Sequence, residues 1–270
     1  MSRPRIQRDW GKGNGSSAQR RPGGGSFRAA DVSRSFEGVR ALESVSFELR
    51  HDEVTGLIGP NGAGKTTLVN VMTGFDVPDS GRVEFEGVDI TSWSATRRAD
   101  AGLARTFQHG HLFEGLSARE NVAVAAMGVG ARPRPAGRRS DELLEMLGLT
   151  HRAKTEARAL PHGEASKLGV ARALAADPRY VLMDEPAAGL SEPEIPAFVE
   201  VVRSVRDEHH AGVLLIDHNI AMILEACDRI VVLDEGRVVS EGTPKEVRDD
   251  PTVAAAYLGA LPTEAGAGDG

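Results

Sequence analysis

The strongest constraint on this chain is a short apolar run, Val54–Ile58. It ends in the turn Gly59-Pro60-Asn61-Gly62-Ala63-Gly64-Lys65-Thr66 and continues as helix-forming sequence to Thr73. Strand, glycine turn and helix in that order match the P-loop pattern. The residue types follow from electrostatics. Glycines 59, 62 and 64, with Pro60, Asn61 and Ala63 between them, let the backbone wrap a polyanion and aim N–H groups inward. The helix that follows turns its positive end to the same anion. Lys65 is expected to reach the β- and γ-phosphates of a nucleoside triphosphate. Thr66 is expected to offer its hydroxyl to Mg²⁺, and Thr67 to hydrogen-bond a nearby phosphate.

A second apolar run, 180–183, ends in two carboxylates, Asp184 and Glu185. A buried parallel strand would deliver Asp184 to the carboxyl edge of the sheet, where the P-loop also lies. Asp184 is then expected to hold Mg²⁺ through water, and Glu185 to orient or deprotonate an attacking water. An Asp-Glu pair after a strand is by itself a common surface feature, and only the P-loop gives it this reading.

The rest of the chain alternates strand and helix. Strands are expected at 45–49, 83–86, 213–216 and 229–233, with a hairpin across Glu235-Gly236 into 237–240. Helices are expected at 141–147 and 165–176, and the Pro-, Gly- and Arg-rich stretch 131–140 as a surface loop. Residues 1–26 and 261–270 have too little apolar surface to order themselves and are expected as tails. The arginines of the first tail could touch anionic lipid or nucleic acid, or simply be solvated. The lone cysteine, Cys227, lies in an apolar run and is expected in the core. A net charge of −7 argues against nucleic-acid binding by bulk electrostatics. No stretch approaches the roughly 20 apolar residues of a membrane span, and no apolar signal segment opens the chain. The expectation is a cytoplasmic protein that serves a membrane only as a peripheral partner.

Further motifs resemble those of ATP-binding cassette (ABC) ATPases, over about residues 27–260. Ala104-Arg105-Thr106-Phe107-Gln108 resembles the Q-loop, and Leu215-Ile216-Asp217-His218 the switch region. The resemblance implies that Gln108 contacts Mg²⁺ and the attacking water, and that His218 contacts the γ-phosphate. Phe36 matches the aromatic that stacks on adenine, with core packing as the alternative. The implied fold is α/β: a P-loop core, an antiparallel β subdomain and an inserted helical subdomain at about 109–165. The implied cofactors are ATP and Mg²⁺. The implied partners are a second cassette, in a homo- or heterodimer, and transmembrane permease subunits, with no nucleic acid and no direct solute binding. His109 and His111 have no apparent third ligand and suggest no metal site.

Leu160-Pro161-His162-Gly163-Glu164 occupies the slot of the signature motif, which caps the γ-phosphate on the opposite subunit. Gly163 and the helix start are retained. Pro161 stands where the family usually has serine, and losing such a hydrogen bond to a charged group costs about 1.5–3 kcal/mol. Ser191 stands where the D-loop usually has Asp or Asn. These departures keep open a degenerate cassette that binds ATP for regulation with little hydrolysis. Residues 102–108, Leu112-Phe113, Glu120-Asn121-Val122, 185–190 and 250–259 resemble the ATPase subunit of branched-chain amino-acid importers of the high-affinity Leu/Ile/Val type. Importers of other small polar solutes share them. A soluble DNA-repair or translation cassette is disfavoured, since the chain has neither a coiled-coil insertion nor a second P-loop.

Overall fold

The computed structural model describes residues 25–106 and 112–256. The expected tails fall almost wholly outside these residues, except that strand β1 (Ser26–Phe36) begins at Ser26. Among the described residues two sheets form. The antiparallel one has the order β2 (Val39–Arg50), β1, β4 (Ser80–Phe85) and β5 (Val88–Asp89). The other has the order β10 (Arg237–Gly242), β9 (Arg229–Asp234), β3 (Val54–Ile58), β8 (Gly212–Ile216), β7 (Tyr180–Asp184) and β6 (Leu103–Arg105). It is parallel apart from the β9–β10 hairpin.

β3 and β8 are buried along their whole length, as strands covered on both faces must be. The period of two divides their side chains between two cores. Val181, Met183, Val213, Leu215, Ile230 and Val232 enter the core beneath the helices. Leu182, Leu214, Val231 and Leu233 enter a second core, shared with the antiparallel sheet and helix α1 (Lys65–Thr73). Cys227 is buried, as expected. At the far end of the sheet Glu86 joins the two layers. It accepts from Tyr180 Oη at 2.7 Å, pairs with Arg179 at 3.0 Å and lies 2.7 Å from His51 Nε2.

Arg98, on α2 (Ala95–Ala101), is 1% exposed, with Asp89 close enough to favour its charge. Its guanidinium donates to the carbonyls of Val71, Met72, Ile90, Thr91 and Trp93. The first two lie in the last turn of α1, where carbonyls lack helical partners and carry partial negative charge. Burial lowers the Arg98 pKa to about 10, still charged at neutral pH. A sequence charge of this kind thus anchors the helix that follows the glycine turn.

The helices α3 (Ala118–Gly128), α4 (Pro133–Met146) and α5 (His162–Leu174) pack together beside the parallel sheet. The stretch 131–140 is therefore not a surface loop, since most of it is the first half of α4. Pro133 sits at the helix start, where no backbone donor is needed. Ala136, Gly137 and Ser140 are buried, and Arg119 of α3 donates to Gly137 O at 3.2 Å. α5 starts three residues before the expected position because Pro161 (φ −56°, ψ 155°) serves as its N-cap. None of the described helices is long and apolar enough to cross a membrane.

Arg139 fastens α4 to α6 (Ile195–His209). It donates to Leu174 O at 3.3 Å and lies 3.1 Å from His209 Nδ1. A guanidinium can only donate, so Nδ1 accepts and His209 is neutral, with Nε2 3.4 Å from Met146 Sδ. Burial, reinforced by Arg139, lowers the His209 pKa to about 4. The unfolded chain takes up this proton below about pH 6.5 and the folded one only near pH 4. The contribution is therefore constant above about pH 6.5 and is lost as pH falls from there towards 4, by up to about 3 kcal/mol. Denaturant unfolding across this range should show the loss in the native protein and a flatter profile in His209→Gln.

Candidate functional site

The glycine turn joins β3 to α1 at the carboxyl edge of the parallel sheet. Gly64 is the N-cap of α1 at φ 101°, a conformation that disfavours a side chain. A Cβ there would also strike Ala41 O and lie 3.0 Å from Leu42 Cδ2. A Cβ on Gly59 would overlap Leu233 O. The turn is stapled from outside by Gly236 N donating to Ala63 O at 3.0 Å, and closed internally by Ala63 N donating to Pro60 O at 3.1 Å. Ala63 is buried, whereas Asn61, Gly62 and Thr66 are exposed and Pro60 and Thr67 partly so. No side chain caps α1, so its first N–H groups face outward at the positive end of the helix. Lys65 Nζ donates to Gly59 O at 2.5 Å and Pro60 O at 3.0 Å. Burial pushes its pKa down, against the pull of Glu185 and Asp184.

Those two carboxylates stand at the end of β7. Asp184 Oδ2 accepts from Arg105 at 2.8 Å, and Thr106 Oγ1 accepts from Asp184 N at 3.3 Å. Glu185 turns sharply off the strand at φ 47°, fixed by its N–H on Ile216 O at 2.8 Å. A non-glycine residue in this region costs of order 1 kcal/mol and persists only where the surroundings impose it. The next strand, β8, leads into Asp217 and His218. His218 has a side chain 75% exposed, with Nδ1 3.8 Å from Asp217 Oδ1.

Asp217 is a residue to which the motif reading gave no role of its own. It is 4% exposed and accepts from Ala187 N at 3.2 Å and Asn219 N at 2.9 Å. It ties the loop after Glu185 to the loop that presents His218. Asn219 then caps α7 (Ile220–Ala226) through Met222 N. An Asp after an apolar strand reads as exposed, and its burial depends on backbone donors from another strand end. Asn121 is a second such residue. Fully buried, it donates to Phe113 O, Leu116 O and Ser117 O and accepts from Phe113 N, clamping the loop that leads into α3.

The first turn of α5 packs on the segment after Glu185. A Cβ on Gly163 would lie 2.7 Å from both Leu190 Cδ2 and Glu194 Oε1, and one on Gly189 3.2 Å from the His162 ring. Pro161 supplies no side-chain cap to α5. Ser191 donates its hydroxyl to Glu194 at 2.6 Å in a local capping box. A cavity of about 220 Å³ opens between α5 and this segment, lined by Thr106, His162, Ser166, Gly169, Glu185 and Gly189 among others.

Phe36, at the end of β1, is 43% exposed, so core packing does not account for it. The Arg34 guanidinium stacks on its ring at 4.7 Å and is held by Asp76 and Asp79 at 2.9 and 2.8 Å. Gln108, with His109 and His111, lies outside the described residues. The structure therefore brings Lys65, Thr66, Asp184, Glu185 and His218 to one edge of the sheet. Gly163 lies beyond the cavity, and Phe36 at the antiparallel sheet.

A glycine-wrapped helix start facing paired carboxylates at a parallel-strand end defines a P-loop ATPase. The ABC transporter family profile matches residues 42–188, and the branched-chain amino acid ATP-binding cassette transporter profile matches residues 237–260. The chain is 36% identical to the high-affinity branched-chain amino acid transport ATP-binding protein LivG of Salmonella typhimurium, over 83% of this chain and 94% of that one. It has the same identity and coverage with BraF of Pseudomonas aeruginosa. It is also 32% identical to the lipopolysaccharide export ATP-binding protein LptB of Haemophilus influenzae, over 86% and 96%. The crystal structure of the ADP conformation of MJ1267, an ATP-binding cassette of an ABC transporter, matches with a TM-score of 0.79 at 30% identity, over 87% and 99% of the two chains. The chain belongs to the ABC transporter family, as one of its nucleotide-binding ATPase cassettes.

Asp217→Ala should leave two backbone donors unpaired. Expected are about 1–3 kcal/mol of lost stability and at least tenfold lower ATP turnover, because the Glu185 and His218 loops lose their common anchor. Nucleotide affinity should stay near the native value. Paired thermal-unfolding, binding and turnover measurements check this.

Proposed function

We propose that this cassette hydrolyses ATP to power uptake of branched-chain amino acids, or related small polar solutes, through a separate membrane permease. The observation that carries the proposal is the convergence of Lys65, Asp184 and Glu185 at one sheet edge. The similarity to LivG and BraF and the match at 237–260 supply the transported class. The likeness to LptB, named for lipopolysaccharide export, supports the reading that the cassette alone does not choose the cargo; in this reading the permease and its binding protein do. The cassette itself sits peripherally on the inner face of the cell membrane.

In this reading Phe36 stacks on adenine, its other face backed by Arg34. Residues 59–64 wrap the phosphates, Lys65 exchanges its two carbonyls for β- and γ-phosphate oxygens, and Thr67 adds a hydroxyl. The hydroxyl of Thr66 and the carboxylate of Asp184 are hard oxygen donors of the kind Mg²⁺ accepts while keeping waters and phosphates as its other ligands. They would hold the ion with Gln108. When bound, Mg²⁺ neutralises charge on the β- and γ-phosphates. Glu185 orients or deprotonates the attacking water, and His218 contacts the γ-phosphate. Gly163 and the start of α5 cap the nucleotide held by a second cassette, identical or not. The lobe built on α3–α5 transmits closure to the permease.

Glu185→Gln should keep nucleotide affinity and lose turnover by on the order of a hundredfold or more. Lys65→Ala should lose binding. Full turnover in Lys65→Ala would overturn the proposal. A native protein that binds MgATP without turnover would support the regulatory cassette that Pro161 and Ser191 keep open. Pro161→Ser restores both a helix cap, worth about 1 kcal/mol, and a phosphate donor. It should raise turnover several-fold at saturating MgATP, and an unchanged rate would show that the proline does not slow the site. Uptake of labelled leucine by proteoliposomes holding the cassette and a branched-chain amino-acid permease tests the cargo.

A further inference from the structure

In sequence Arg105 is only a flank of Gln108. In the fold its guanidinium bridges two elements of the site. One terminal nitrogen donates to Asp184 Oδ2 and the other to Asn70 Oδ1, both at 2.8 Å. Asn70 lies on α1, the helix that starts with Lys65 and Thr66. The Phe75 ring shields the group at 5.8 Å, and the side chain is 11% exposed. Arginine does not give up its proton in proteins. The carboxylate best placed for a divalent ion is therefore already paired with a fixed cation of its own chain.

This arrangement answers a local need. Asp184 and Glu185 are adjacent acids in a partly buried site, and two such charges disfavour each other. A cation held beside Asp184 offsets that repulsion and orients the carboxylate. The same cation repels a divalent ion sharing that carboxylate. We propose that Arg105 is a positioning residue that stands in for the metal's charge. It holds Asp184 between β7 and α1, and it sets the Mg²⁺ concentration at which the nucleotide-loaded cassette takes the ion. This rests on the reading of Asp184 as a Mg²⁺ ligand.

The test is a Mg²⁺ titration of the full chain saturated with a non-hydrolysable ATP analogue, read by calorimetry and by the unfolding temperature. In Arg105→Met and Arg105→Gln the Mg²⁺ midpoint should fall roughly three- to tenfold, the scale of removing one unit charge beside a divalent ion in a partly exposed site. The unfolding temperature in EDTA should also fall. Arg105→Lys keeps the charge but loses the two-armed bridge, and its midpoint should stay within about twofold of native on the same electrostatic ground. An unchanged or higher midpoint in the neutral variants is what loss of packing or orientation alone produces, and would overturn the proposal. If one neutral variant does not fold, the other decides. A native protein that binds the analogue without any Mg²⁺ dependence would instead remove the reading of Asp184 itself.

Discussion

The site depends on a close approach between backbones. The glycine turn lies so near the β9–β10 corner and β2 that Leu233 O occupies the space of a side chain at 59, and Ala41 O of β2 that of one at 64. Two hydrogen bonds, Gly236 N to Ala63 O and Glu43 N to Gly236 O, join the turn, the corner and β2. The turn is held by backbone atoms that come from far along the chain. That is preorganisation in the ordinary sense: the cost of ordering the donors is met during folding.

The parts of this site legible in the sequence are those where local chemistry and long-range structure agree. The runs at 54–58, 180–183 and 213–216 read as buried strands because both faces of the sheet are covered. The glycine spacing reads as a phosphate turn because few other folds need it. Residues 131–140 were not legible. Their prolines and glycine read as loop, yet Pro133 begins a helix, and Ala136, Gly137 and Ser140 let α3 approach it closely. Composition reports propensity, while a helix packed on a neighbour rewards small residues that propensity penalises.

The residues least legible are the ionisable ones that act through distant partners. Arg98, Arg105, Asp217 and the neutral His209 look like surface residues in sequence. Each is buried or half-buried and satisfied by groups many residues away: helix-end carbonyls for Arg98, loop amides for Asp217, Asn70 and Asp184 for Arg105, Arg139 for His209. A buried charge without a partner is expensive, so its presence implies a built site for it. Three of the four hold an element that carries a motif residue. Arg98 holds the end of the phosphate-loop helix, Arg105 the carboxylate, and Asp217 the loops of Glu185 and His218.

The same logic bears on the departures in the signature slot. The start of α5 is packed against the segment that follows Glu185 in its own chain, with Gly163 on Leu190 and Glu194 and His162 on Gly189. That segment is fastened in turn to the His218 loop through Ala187 and Asp217. A shift of α5 would therefore be felt at Glu185 and His218 of the same subunit. Pro161 removes one donor from α5 but leaves this contact intact, and Ser191 spends its hydroxyl on Glu194 within the same segment. The path from the start of α5 back to Glu185 is carried by glycine packing and by the Ala187–Asp217 hydrogen bond, which Pro161 does not touch.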